Sequence, residues 1–146
     1  MRRIIATIAA SLLLALAGCE NPAAAIAVRQ ANQTAEADGL PFRWESRNVD
    51  GGSMLTRVMI DIPSGPTRAD LQLKQDALRL IGRAEAKEGR GAPELADVKP
   101  LKDGRELWIL KSTNGGIAYV VTFVPDATGG TGVRVTGPIE FQSAKN

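Results

Sequence analysis

The chain has 146 residues, with 18 basic against 16 acidic side chains, 44% hydrophobic residues, a single cysteine and no histidine. One cysteine forbids a disulfide within the chain. Without histidine, a Ser-His-Asp triad, a Cys-His pair and any His- or Cys-based zinc or copper site are all excluded.

Arg2 and Arg3 open the chain and are followed by an uncharged run from Ile4 to Ala17. A positive start, an apolar run and a small-residue exit are the parts of a secretory signal peptide. As a helix that run spans only about 21 Å, short of the roughly 30 Å hydrocarbon core of a bilayer. The run ends in Leu16-Ala17-Gly18-Cys19, which resembles the lipobox of bacterial lipoproteins. The resemblance covers the first nineteen residues alone, and no family is recognised over residues 40–146. It implies a signal peptide over 1–18 cut before Cys19, and a thiol carrying a diacylglyceryl group. Such lipoproteins usually carry three acyl chains on the mature cysteine, and two or more hold a protein firmly because each buried methylene contributes about 0.8 kcal/mol. Glu20 follows the cysteine where enteric inner-membrane lipoproteins tend to carry aspartate, which favours the outer membrane, facing the periplasm, over the inner. Removing Arg2 and Arg3 leaves 16 basic side chains against 16 acidic ones, so nothing suggests a nucleic-acid partner.

Residues 19–40 are rich in alanine, and Asn21-Pro22 can cap and open a helix that Gly39 ends. Ile26 and Val28, the large aliphatics, lie two residues apart on different helical faces. The segment therefore predicts a tether, helical in part, with an interaction segment that orders on a partner as the alternative.

Residues 41–146 predict one domain. Pro41 to Asn48 alternates, Phe42 and Trp44 on one face, Arg43, Glu45 and Arg47 on the other, which is the period of a half-buried strand. Asp50-Gly51-Gly52-Ser53 supplies a hairpin turn, and Met54 to Ile62 returns with Val58, Ile60 and Ile62 inward and Arg57 and Asp61 toward water. Pro63-Ser64-Gly65-Pro66 ends that strand. Thr67 is the expected N-cap of a helix over 68–87, where Leu73, Ala77, Leu80, Ile81 and Ala84 make one stripe. Gly82 is a point of close approach to the sheet. Leu95 to Leu101, interrupted by Pro100, reads as an edge strand. Arg105 to Ser112, apolar on both faces at Leu107-Trp108-Ile109-Leu110, reads as a central one. Ile117 to Pro125 and Val133 to Phe141 complete a meander. The expected fold is α+β: a mostly antiparallel sheet of about five or six strands, one long helix packed on one face, in β-β-α-β-β-β order.

Motifs for chemistry are few. Gly129-Gly130-Thr131-Gly132 lacks the lysine and following helix of a P-loop and reads as a hairpin loop. The pairs Glu94/Asp97 and Asp103/Glu106 lack the ligand pattern of a calcium loop and read as solvated surface charge. Trp108 reads as core. Trp44, with charged neighbours, is the candidate interface anchor. The sequence thus predicts no catalytic residue, no metal and no cofactor. The expectation is a non-enzymatic, membrane-tethered periplasmic domain, held to lipid through acylated Cys19, that binds another envelope protein. Capture of a small molecule, glycan or peptide is the alternative.

Overall fold

The computed structural model describes residues 22–49, 52–112 and 116–142. Leu16, Ala17, Gly18 and Cys19, together with Asp50 and Gly51 of the first turn, lie outside them. The elements run α1 (Pro22–Ala37), β1 (Phe42–Val49), β2 (Gly52–Met59), α2 (Leu71–Lys87), β3 (Leu95–Pro100), β4 (Glu106–Leu110), β5 (Gly116–Pro125) and β6 (Thr131–Phe141). The class is α+β with antiparallel ladders. The expected single sheet and single helix are corrected, because the described residues hold two sheets and two helices: β1-β2 pair with each other, and β3-β4-β5-β6 form a meander.

The linker after β2 takes one edge of the four-stranded sheet, a place a neighbouring strand would need. Beyond Met59 the chain carries Pro63 and Pro66, which have no amide to give a ladder. It runs instead along the outer edge of β3, where the Gly65 amide donates to the Val98 carbonyl at 2.9 Å. The Lys99 ammonium, 7% exposed, donates to the Ile62 carbonyl at 2.5 Å and pairs with Asp97 at 3.4 Å. Asp97 also accepts from Ser64 at 2.7 Å. These contacts cover a sheet edge that would otherwise be open to another chain. At the opposite edge β2 meets the end of β6 in one parallel bridge, Val58 to Gln142, with the Gln142 amide donating to the Arg57 carbonyl at 2.9 Å.

The four-stranded sheet is covered on both faces, so every residue of β4 is buried. On one face Trp108, Leu110, Tyr119, Val121 and Val98 pack on Ala77 and Ile81 of α2. On the other, Leu107, Ile109, Ala118, Val120 and Phe141 pack on Phe42, with Met59 and the flanking Leu40 and Ile62 against them. Full burial of a side chain such as Ile81 contributes about 1.5–3 kcal/mol. Gly116 stands directly across from Phe141, whose ring lies where a Cβ would be, so glycine is required there. Gly104, at φ +84°, forms the tight turn before β4.

Local expectations shift at four places, the first being Leu80, which was expected on the α2 stripe and is 38% exposed. The α2 cap is Asp70, whose carboxylate accepts from the Leu73 amide at 2.8 Å. Thr67 cannot cap, because its hydroxyl donates to Glu106 at 2.8 Å and accepts from the Ala69 amide. Ile60 is 43% exposed rather than inward, because β2 ends at Met59 opposite Phe42 and the chain turns away. Gly82 faces Pro93 of the following loop rather than the sheet.

The alanine-rich segment forms α1. Its half-buried positions are Ala24, Val28, Ala31, Asn32 and Ala35, a stripe at helical spacing in which three of the five side chains are alanine. Small residues let a helix approach a strand closely. Asn32 then binds the open edge of β1 at two points, accepting from the Trp44 amide at 2.5 Å and donating to the Trp44 carbonyl at 3.1 Å. An asparagine amide carries a donor and an acceptor side by side, so it stands in for the peptide group of a missing neighbouring strand.

Candidate functional site

The last turn of α2, the loop after it and the ends of β4 and β5 enclose an open groove of about 390 Å³. Its wall is apolar at Ala92, Pro93, Leu110 and Ile117 and charged at Glu85, Arg90 and Lys111. Glu85 is carried inward by its position in the helix, four residues after Ile81 and eight after Ala77, both fully buried. Gly89, at φ +69°, ends the helix and returns the chain so that Arg90 meets Glu85.

The Glu85 carboxylate, 3% exposed, accepts from Arg90 Nε at 2.7 Å and Nη2 at 2.9 Å, and from the Tyr119 hydroxyl. The Arg90 hydrogen bonds hold its carboxyl below the usual carboxylate range, against the opposing cost of burial. Arg90 is correspondingly held in its charged form by Glu85. Burial first, and the neighbouring carboxylate second, push the Tyr119 phenol up to about 12. The outer amino group of Arg90, Nη1, stands 3.6 Å from Glu140, whose side chain is 72% exposed. Lys111 pairs with Glu94 at the surface, and its amide donates to the Glu94 carbonyl at 2.8 Å.

A second buried carboxylate lies under the start of α2. Glu106, 1% exposed, accepts from Thr67 at 2.8 Å, from the Arg68 amide at 2.6 Å and from Trp108 Nε1 at 2.7 Å. The reading of Asp103/Glu106 as solvated charge is therefore corrected for Glu106. Asp103 is a turn residue bound to Arg105. Glu94 and Asp97 are separated in role as well, one at the groove rim and one under the linker. Among the described residues no three Asp, Glu, His or Cys side chains gather as a metal ion would require. In the Gly129–Gly132 stretch, the Gly130 amide donates to Asp126 at 2.7 Å and closes the loop on itself.

Trp44 lies far along the chain from the groove residues, on the hairpin. Its ring is half-buried, with the Arg57 guanidinium 4.6 Å from the ring centroid. Arg57 was expected to face water, yet in register it stands opposite Trp44 and so shares its face. Trp108 is fully buried. Sequence reasoning passed over Asn32, Glu85, Arg90 and Tyr119. Glu85 alone carried a signal, since a glutamate on the stripe of Ala77, Ile81 and Ala84 needs a partner inside.

No protein-family model, no curated protein and no solved structure matches this chain.

Proposed function

We propose that this protein is a membrane-anchored lipoprotein of the outer membrane, facing the periplasm, whose folded part binds another envelope protein as a non-enzymatic accessory subunit. The observation that carries the binding role is the Trp44 platform. The backbone at Trp44 is clasped by Asn32, its ring is covered on one side by Arg57, and it sits on a hairpin joined to the main sheet at a single bridge. A tryptophan already fixed in place loses little further freedom when a partner packs on it, which is what makes such residues strong anchors. The anchor rests on Leu16-Ala17-Gly18-Cys19. Cys19 stands three residues before Pro22, the first residue of α1, and three residues of extended chain span at most about 10 Å. The lipid would therefore hold the folded part close against the membrane.

In-cell cross-linking followed by mass spectrometry tests both parts. One dominant envelope partner is expected, together with loss of membrane association in Cys19→Ser. Trp44→Ala should lower partner recovery severalfold while the folded fraction at working temperature stays near that of the wild type. Asn32 binds the Trp44 backbone, which alanine retains, and the lost cation–π contact and partial ring burial lower the melting temperature by several degrees without unfolding the chain. Cys19→Ser remaining with the membrane fraction would sink the anchor. A Trp44→Ala variant that recovers the partner normally would sink the platform. The second reading, capture of a small molecule, glycan or peptide, is favoured by the groove beside Arg90.

A further inference from the structure

We propose that the groove at the end of α2 takes a carboxylate joined to an aliphatic group, as presented by the C-terminus of a polypeptide ending in an apolar residue. The proposal deepens the capture reading and is independent of both the lipid anchor and the Trp44 platform.

The first support is the posture of Arg90. Glu85 engages Nε and Nη2, fixing the guanidinium plane, and Tyr119 on the same carboxylate fixes Glu85 in turn. Nη1 is left with an ion-pair contact at 3.6 Å, longer than a hydrogen bond, to a glutamate at the surface. A guanidinium braced along one edge is prepared to receive a second carboxylate on another, and planar recognition of this kind is what arginine offers over lysine. Bracing also removes the side-chain freedom that binding would otherwise cost.

The second support is the balance of charge and oil. The groove wall carries two cations, Arg90 and Lys111, against one carboxylate, Glu85, and that carboxylate is already committed to three donors. The acids nearest the cations from outside are Glu140, 72% exposed, and Glu94, 65% exposed. Ion pairs between such exposed groups are weak and can be displaced. Ala92, Pro93, Leu110 and Ile117 give the remaining wall an aliphatic surface suited to the last side chain of a peptide. A volume near 390 Å³ falls within the range of about 300–1,000 Å³ typical of ligand sites.

The test is an NMR titration of the purified chain with N-acetyl-leucine, N-acetyl-leucinamide, acetate and isocaproate. N-acetyl-leucine should shift the amides of residues 90–92, 110–111 and 117 in a saturable way, with the amide and acetate binding at least about tenfold more weakly, the worth of one charged contact or one buried aliphatic group. Arg90 variants risk unfolding by stranding Glu85, so the decisive variants are at the rim. Glu140→Gln should tighten binding about two- to fivefold, the worth of an exposed ion pair, by removing the internal competitor for Nη1. Lys111→Gln should weaken it by a similar factor. Equal response to acid and amide, absence of saturable shifts at the groove, or no gain in Glu140→Gln would overturn the proposal. Isocaproate binding as well as N-acetyl-leucine would overturn the peptide end as occupant. Loss of groove binding alongside intact, Trp44-dependent partner recovery would reject the groove alone.

Discussion

The two faces of the four-stranded sheet are finished differently. Against α2 the core holds Trp108 and Tyr119, and the polar atom of each ends on a buried glutamate, Nε1 on Glu106 and the hydroxyl on Glu85. Against the hairpin the core is Phe42, Leu107, Ile109, Ala118, Val120 and Phe141, with no side-chain hydrogen bond among them. Apolar burial is strong but non-directional. Buried hydrogen bonds contribute less net energy and penalise every arrangement that leaves them unmade. The helix face is thus told which turn of α2 belongs over which strand. The hairpin face carries fewer such bonds: the buried Lys99 ammonium holds the Ile62 carbonyl just beyond β2, and the rest of its orientation comes through Asn32 at one edge and Gln142 at the other.

The largest effect expected from this contrast is at Phe42. Its ring lies 5.6 Å from that of Phe141 and joins the hairpin to the sheet. Phe42→Ala should cost about 3–5 kcal/mol by loss of transfer energy and creation of a cavity. Phe42→Leu should recover most of that, since an apolar cluster whose members make no side-chain hydrogen bonds tolerates a change of shape. Denaturant unfolding of the two variants measures both. A cost below about 1 kcal/mol for the alanine would mean that the hairpin adds nothing to the core, contrary to its 4% exposure.

The buried polar groups of the helix face should answer to pH at both ends of the range. The Glu85 carboxyl is held below its unfolded value of about 4.3, so its contribution is present above that pH and lost as pH falls through the folded value. Asp97 under the linker and Asp103 in the turn before β4, which lie off the helix face, act in the same sense: burial opposes their ionisation, but hydrogen bonds from Ser64 and Val98 in one case and Arg105 in the other outweigh it. At the alkaline end the sign reverses. Tyr119 is raised, so its contribution is complete below the unfolded value of about 10 and is lost as pH rises through about 12. That difference is on the order of 2 kcal/mol. Tyr119 is the only tyrosine in the chain, so the phenolate absorbance reports it without interference. Tyr119→Phe should abolish this alkaline loss while leaving the acid loss in place. A phenol titrating as it does in free tyrosine would mean that the Glu85 cluster is open to water.

How much of this was legible follows from what each element is made of. The central strand β4 was readable because Leu107-Trp108-Ile109-Leu110 has no polar face to spare, and the edge strand β3 because Pro100 cannot serve a ladder. The class of fold followed from them. The division into two sheets was not readable, since the contacts that place the linker and β2, Gly65 to Val98 at one edge and Val58 to Gln142 at the other, each join residues more than thirty positions apart. The glutamates were misread for a related reason: Glu106 sits beside Asp103 in sequence and looks like its fellow surface acid, yet its partners are Thr67 and Arg68, far away along the chain. Helix α1 was hidden by its own composition. A search for large aliphatic residues finds Ile26, which is 58% exposed, and Val28, which lies on the stripe but alone makes no pattern, and it overlooks the alanines beside Val28.

The smallest expected effect concerns that helix and sharpens the comparison most. Asn32→Ala removes two hydrogen bonds to the Trp44 backbone, about 1–2 kcal/mol together. Global unfolding should register only that modest loss, because α1 buries no residue fully. Hydrogen exchange across Pro22–Ala37 should register much more: if Asn32 is the clasp, amides that exchange only when α1 undocks should exchange severalfold faster. Asn32→Asp should fall between the two, since a carboxylate can accept from the Trp44 amide but cannot donate to its carbonyl. Unchanged protection in Asn32→Ala would assign the docking to the alanine stripe alone. The distinction bears on reach. With α1 docked, the folded part begins three residues from Cys19. With α1 released, the whole of 22–41 would become spacer between Cys19, the proposed lipid attachment, and the hairpin that carries Trp44, and the exchange of the Asn32 variants tells which of the two lengths applies.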